Sequence, residues 1–563
     1  MSRLTLTFDH FPDYEELTRW LQRAHDQYPD LTELYSIGRT YEGREIWCLE
    51  ITQKATGPGL EKPGMYVDAN IHASEFTGGM AALETIRVLL EEYPRDPLVR
   101  HLVDTRVFYI LPRISADGSE MVLKTPYYVR SNVRPYPEEE REGLYPEDIN
   151  GDGLILTMRV KDPNGAWRKS AKDPRVMVRR GIDEVEGEFY HLYVEGRIRG
   201  PYEGGPFPSG GNRFKLDLNR NFPGDYRPEG IQPGASLYPL DQPETRAMAE
   251  FFAAHPNIAC AQTFHTFSGV ILRPYATRPD KEIPGEDLRW FEILGQRGKE
   301  ITGYPMVSVY EGFRFDKASP VYGYGTLFEW WYGQQGVFYL ATELWNPYEA
   351  AGVTGPFSGH RELTEEDWLK MMEWNDKELK GEGFVDWQPF QHPDLGEVEI
   401  GGWKTLYCIS NAPFGRYLKE HAQRNARFNL THAAMSPRLA IARASAKPVG
   451  DGVFEVWADV QNQGYLPTYV TRQALQMKAV KEVEAFLEAE GDIEVLTRPA
   501  TQTLGHISGR GLPPQFFRPG SLETPSEKRV RFLVKAPRGG EVTVVVRHAR
   551  AGTARARVQL PPF

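Results

Sequence analysis

The sequence predicts an α/β fold: a mixed β-sheet flanked by helices, with a long insertion and an all-β, sandwich-like domain at the C-terminus. Three observations carry that class. Up to about residue 435, apolar runs of strand length alternate with amphipathic helical stretches. Within this region strand, helix and strand follow one another without a hairpin turn, which requires crossovers and a parallel or mixed sheet. After about residue 437 the pattern changes to short strands punctuated by Gly, Pro and Asn.

Each element has its own reason. In 13–30, Leu17, Trp20, Leu21 and Ala24 recur at helical spacing. LYSIGRTYEGREIWCLEIT reads as two strands turning at Glu42-Gly43. MYVDANI is a buried strand that passes through His72-Ala-Ser-Glu75 into the helix GMAALETIRVLLEEY, and TRVFYILPRI returns as a strand. The helix PETRAMAEFFAAH and the strands ACAQTFH and VFYLATEL repeat the pattern. Between about 126 and 215 it dissolves into Gly, Pro, Arg and acidic residues, an insertion without a core of its own in which EFYHLYVEGRIRG reads as a surface hairpin. The predicted domains are therefore 1–435, with that insertion, and 436–563. The latter holds VFEVWADVQNQGYLPTYVT, KRVRFLVKAP and GEVTVVVRHARAGTARARVQL as strands and KAVKEVEAFLEAEG as a helix.

Composition bounds function before any motif does. The chain has 563 residues, 40% hydrophobic and 25% charged, which is ordinary globular usage. A net charge of −11 disfavours nucleic acid as a partner. Three dispersed cysteines, Cys48, Cys260 and Cys408, cannot build a disulfide framework or a Cys-rich metal site. No apolar stretch is long enough to span a bilayer, so no membrane partner is expected. No secretory signal is visible in MSRLTLTFDHFPDYEEL, and the expected location is cytoplasmic. There is no nucleophile elbow, phosphate loop or dinucleotide fingerprint.

The chemistry concentrates at strand ends. His72 and Glu75 form a His-x-x-Glu where a buried strand hands over to a helix, a common location for α/β sites. With thirteen histidines, about one such pair arises by accident, so the spacing alone is weak. Imidazole and carboxylate are both zinc ligands, and a catalytic zinc takes three protein ligands and a water. His265 in TFHTFSGVILRPY offers the third, although a lone strand histidine is more often satisfied by backbone. Glu343 ends an otherwise apolar strand, where a carboxylate is costly without a use.

In order and character, the segments SIGRTYEGREIWCLEI, NIHASEF, LDLNRNFP, FHTFSGVILRPY and ATELWNP resemble the zinc carboxypeptidase family, the carboxypeptidase A-like metallopeptidases. The likeness covers roughly residues 10–430, with the insertion unmatched. It implies one Zn2+ held by His72, Glu75 and His265, and Asp217 hydrogen-bonded to a ligand histidine. It gives Asn219 and Arg220 the grip on the substrate's terminal carboxylate, and Glu343 the role of general base and acid. Arg168 in NGAWRKS resembles the family's oxyanion arginine, with Arg159 as its competitor. Tyr322 resembles the tyrosine that closes over substrate, with Tyr324 as its rival. Phe328 falls where the family sets its side-chain preference, which points to apolar or aromatic C-terminal residues unless Arg314, Lys317 or the insertion enters the pocket. Ser74 departs from the family, which often has a basic residue just before the second ligand.

The resemblance therefore implies a metallocarboxypeptidase acting on peptides with a free C-terminal carboxylate. An amidase, a deacylase or a specialised amino-acid-removing hydrolase on the same scaffold, or a non-catalytic binding protein, is the alternative. Separately, Asp148, Asn150 and Asp152 in DINGDGLI resemble the start of a Ca2+ loop, but Arg159 stands where an EF-hand needs its glutamate. The alternatives there are a structural Ca2+ or an ion-free turn.

Overall fold

The computed structural model describes residues 4–562 apart from 137–140, 212–213, 315–317, 355–361 and 512–525. Helix Tyr14–Gln27 begins where Asp13 and Glu16 each accept the other's backbone N–H, and it buries Leu17, Trp20, Leu21 and Ala24, the face its spacing predicts. The central sheet follows. Its strands are β1 (Thr32–Arg39), β2 (Glu45–Ile51), β3 (Gly64–Ala69), β4 (Val107–Leu111), β5 (Ile258–Thr266), β6 (Val270–Arg273), β7 (Met306–Ser308) and β8 (Phe338–Leu344). Their spatial order is β1-β2-β4-β3-β5-β8-β6-β7.

The inner four strands, β4, β3, β5 and β8, are parallel. The β1–β2, β2–β4 and β8–β6 pairs are antiparallel, so the sheet is mixed. Every residue of β3, β5 and β8 is buried, as parallel strands covered on both faces require. Helices Phe76–Glu91 and Arg416–Met435 pack together over β3 and β5. On the opposite face the rings of Phe251 and Trp331 close on Tyr66. Fixing β3, β5 and β8 side by side brings three strand ends to one rim of the sheet.

Two expectations need correction. The insertion does have a core. Strands Thr157–Lys161, Trp167–Lys169, Met177–Arg179 and Tyr190–Val194 join Phe384–His392 and Gly396–Trp403 in one six-stranded sheet. Leu144, Leu156 and Met158 pack with Val398 and Ile400, so part of this core arrives from far downstream and no local pattern announces it. Nor is EFYHLYVEGRIRG a hairpin. Tyr190–Val194 pairs with Thr157–Lys161, whereas Gly196–Arg199 pairs with Gly143–Pro146. Between them the fully buried Glu195 accepts the N–H groups of Ile149 and Leu156, tying the chain where it changes sheet.

Beyond the long helix, two four-stranded sheets share one core that includes Phe454, Val456 and Phe532 from one and Val542, Val544 and Val546 from the other. The expected helix in KAVKEVEAFLEAEG is instead the strand Glu484–Ala489, paired antiparallel with Gly540–His548. Good helix formers lose there to tertiary pairing, which buries Val483 and Ala485 completely. The helical turn of this region is Arg472–Gln476. No described helix is long and apolar enough to cross a membrane.

Candidate metal centre and its surroundings

His72 and Glu75 sit on the short connection between β3 and helix Phe76–Glu91, and His265 is the penultimate residue of β5. The three side chains are buried and offer ligand atoms that all lie within 4.8 Å of one another. His72 Nδ1 is 2.9 Å from Glu75 Oε1, His265 Nδ1 is 3.0 Å from Glu75 Oε2, and the two Nδ1 atoms are 3.1 Å apart. Two ring nitrogens and a carboxylate facing one point form a donor set that a shared cation satisfies. Zinc bonds of about 2.0–2.1 Å at tetrahedral angles put ligand atoms about 3.3 Å apart, close to these separations. The residues present therefore fit zinc.

Asp217 orients this set. Its Oδ1 lies 3.1 Å from His72 Nε2 and accepts the Asn219 N–H, and its Oδ2 accepts Arg130 Nε at 3.0 Å. The carboxylate fixes His72 with Nδ1 free for a ligand and makes that nitrogen more basic. Burial works to raise the Asp217 carboxyl, but Arg130, His72 and Arg220 outweigh it and hold the group well below the usual range. For Glu75, burial is likewise overcome by His72 and His265, so it is held ionised.

Glu343 lies beside His265 in the register of β5 and β8. Burial pushes its carboxyl up to about 8; Glu75 adds to the rise, while His265 and Arg130 pull the other way. A cation in the adjacent centre would lower it toward neutrality.

The arginine the structure puts beside the centre is a different one from the arginine the sequence singled out. Arg168 lies on the insertion sheet, where Nε donates to Glu184 at 2.7 Å and Nη2 reaches Glu365 at 3.5 Å. Its competitor Arg159 is held there too, paired with Glu399 and stacked over Trp387. Arg130 lies beside the centre: besides its bond to Asp217, Nη1 is 3.5 Å from Glu75 Oε1. In the sequence it is one arginine in a Pro- and Tyr-rich loop, just inside the assigned insertion. Its only local signal is the run Tyr127-Tyr128-Val129 before it.

The Asn219 and Arg220 side chains flank Asp217 in a single 3-10 turn, Leu218–Arg220, which Asp217 caps. Asn219 Oδ1 accepts the N–H of Leu327 at 2.9 Å, and Arg220 lies 5.3 Å from the Tyr322 ring centroid. Gly323 lets the loop approach: a Cβ there would meet Arg220 Nε at 2.8 Å. Tyr322 is half-buried, close to charges that include Arg220, Glu343 and Arg130. Tyr324, by contrast, is engaged with Gln232 and Arg227. Phe328 is buried against Tyr339, with ring centroids 5.1 Å apart. Glu329 beside it has both oxygens engaged, by the N–H groups of Ala276 and Thr277 and by the Thr326 hydroxyl. Arg314 donates to Ser319 and stacks on Tyr310, and Lys317 lies outside the described residues. Ser74 is buried, its carbonyl accepting from Asn411.

The structure gives the calcium reading no support. Asp148 accepts the N–H groups of Gly151 and Gly153, Asn150 that of Asp152, and Asp152 that of Leu154. These side chains cap their own turn, and among the described residues the one group of three or more His, Cys, Asp or Glu placed to hold a metal is His72, Glu75 and His265.

Fold and centre together define an α/β protein with a His-Glu-His centre fit to hold a metal ion. Residues 17–369 match the zinc carboxypeptidase family model, which is more than half of the chain. The chain belongs to the zinc carboxypeptidase family. Residues 438–559 match a domain of unknown function. The mouse carboxypeptidase N catalytic chain is 28% identical over 291 residues, covering 45% of this chain and 62% of that protein. Bovine carboxypeptidase O is 22% identical over 291 residues, covering 50% and 58%. The chain thus spans about three fifths of the length of these curated relatives. Among solved structures, thrombin activatable fibrinolysis inhibitor is 18% identical, with a TM-score of 0.42 over 62% of this chain and 69% of its own.

Proposed function

We propose that this protein is a zinc-dependent carboxypeptidase that removes the C-terminal residue of peptides. The observation that carries the reading is the shared rim at which the His72–Glu75–His265 centre, the Glu343 carboxyl beside His265 and the Arg220–Tyr322 pair meet. Zinc held there would polarise the scissile carbonyl and acidify a bound water. Glu343 is poised to accept a proton from the attacking water and return it to the leaving amine, because the strand register sets it beside the ligand His265. Arg130 offers a fixed cation beside the centre for the charge that develops on the carbonyl oxygen. Arg220 and the amide of Asn219 hold the terminal carboxylate, the guanidinium by two parallel hydrogen bonds. Tyr322 closes over it from a loop rich in glycine.

The preference we propose is for apolar or aromatic C-terminal residues. Phe328 is apolar, and the Glu329 carboxylate that follows it in the chain is already engaged by Ala276, Thr277 and Thr326 instead of being free to pair with a basic side chain. We also propose the boundary between catalytic and C-terminal domains at 435/436, where the helix Arg416–Met435 has just ended and the strand Leu439–Gly450 is about to begin. A cytoplasmic location is part of the proposal, supported by three buried free thiols.

The test compares one peptide with a free and with an amidated C-terminus. Cleavage of the free form, lost by about a hundredfold on amidation and equally weak for both forms in Arg220→Ala, is the expected result. Preferential cleavage of the amidated form would instead favour the amidase reading.

A further inference from the structure

The C-terminal domain docks on the segment that joins the carboxylate-gripping loop to the strand of Glu343. That segment, Phe328–Gln334, is a short π-helical turn, and such an end leaves carbonyls without partners of their own. The other domain supplies them. Gln473 Nε2 donates to Gly333 O at 2.5 Å, Arg550 Nη2 to Gln335 O at 2.6 Å, and both Arg550 Nη1 (3.1 Å) and the Thr471 hydroxyl (2.7 Å) to Gly336 O. Arg550 is buried. The approach is close enough that a Cβ at Gly336 would meet Ala474 Cα at 2.3 Å. Asp287 completes the clamp: its carboxylate accepts the backbone N–H groups of Arg472 and Gln473 at the start of the helical turn and also the Tyr332 hydroxyl.

The opposite end of the same segment touches the substrate grip. The Leu327 N–H fixes Asn219 Oδ1, Gly325 O accepts the Phe222 N–H, and Glu329 pins Ala276, whose carbonyl accepts the N–H of Tyr322. The metal ligands, by contrast, come from the ends of β3 and β5.

Building on the carboxypeptidase reading, we infer that the C-terminal domain is a clamp that sets the position of Asn219, Arg220 and Tyr322, with Arg550, Gln473 and Thr471 as its positioning residues. The domain thereby tunes recognition of the terminal carboxylate without contributing a group to the chemistry. Loosening the clamp weakens substrate binding and leaves the metal centre intact.

The experiment uses the full zinc-loaded chain with Arg550→Ala and, should that variant fail to fold, Gln473→Ala, which removes one hydrogen bond. The expected result is a KM raised about tenfold with kcat within threefold, one zinc per chain, and faster hydrogen exchange confined to residues 322–337. A wild-type KM, or unchanged exchange in 322–337, would overturn the inference, even if thermal stability falls. If the wild type cleaves no peptide at all, the activity reading fails by itself and the exchange pattern alone decides the clamp.

Discussion

Replacing Arg130 with alanine removes a guanidinium that lies 3.0 Å from Asp217 Oδ2 and 3.5 Å from Glu75 Oε1. Two effects follow, and they differ in size. Loss of one fixed donor to the developing oxyanion costs about 3–4 kcal/mol of barrier, a fall of about 10²–10³ in kcat. Loss of the ion pair leaves Asp217 nine-tenths buried with His72 and Arg220 still near it, so its destabilisation falls below the about 3–5 kcal/mol of a wholly unpaired buried charge. Steady-state hydrolysis of a peptide with a free C-terminus, alongside zinc content and thermal unfolding, separates the two. The expected outcome is a folded, zinc-loaded variant with kcat down at least a hundredfold, partly restored by added guanidinium ion. Arg168→Ala, which breaks only the Glu184 and Glu365 contacts on the insertion sheet, is expected to stay within twofold of wild type. Arg130→Ala within threefold of wild type, or a hundredfold loss in Arg168→Ala, would refute the assignment.

Two further outcomes follow from the same geometry. Asp217→Asn keeps the shape but removes the charge behind His72, so zinc affinity should drop about 10–100-fold in competition with a chelator; an unchanged affinity would remove Asp217 from the centre. Burial depresses His432 to about 4, and it is held neutral with Nε2 on the Phe338 carbonyl. The unfolded chain binds the extra proton first, so this stability is present above about pH 6.5 and is lost as pH falls toward 4. The loss amounts to about 3 kcal/mol for that residue, read as the difference in acid-induced destabilisation between wild type and His432→Gln.

Most of the catalytic α/β core was legible because its strands are buried on both faces and read as unbroken apolar runs, with β3, β5 and β8 each falling where MYVDANI, ACAQTFH and VFYLATEL predict. His72, Glu75 and His265 stood out as polar residues at the ends of such runs, but the resemblance of the surrounding segments was needed to join them into one ligand set. Arg130 was not, since its place beside the centre depends on a loop folding back on Asp217, and nothing within a few residues of it encodes that contact. Residues 484–489 went unrecognised as a strand because Glu, Ala and Leu favour a helix locally, and only pairing with 540–548 overrides them. The insertion sheet was hidden by distance, its Val398 and Ile400 lying far from the Met158 they cover.

The most direct measurement is mass spectrometry of a peptide library with varied C-termini, incubated with the zinc-loaded protein and with Glu343→Gln. The account expects the wild type to release single C-terminal residues, apolar and aromatic ones fastest. It expects the variant, still carrying one zinc, to be slower by at least a thousandfold, because the group that moves the proton is gone. Equal trimming by both proteins, or none by a wild type that holds its zinc, would contradict it.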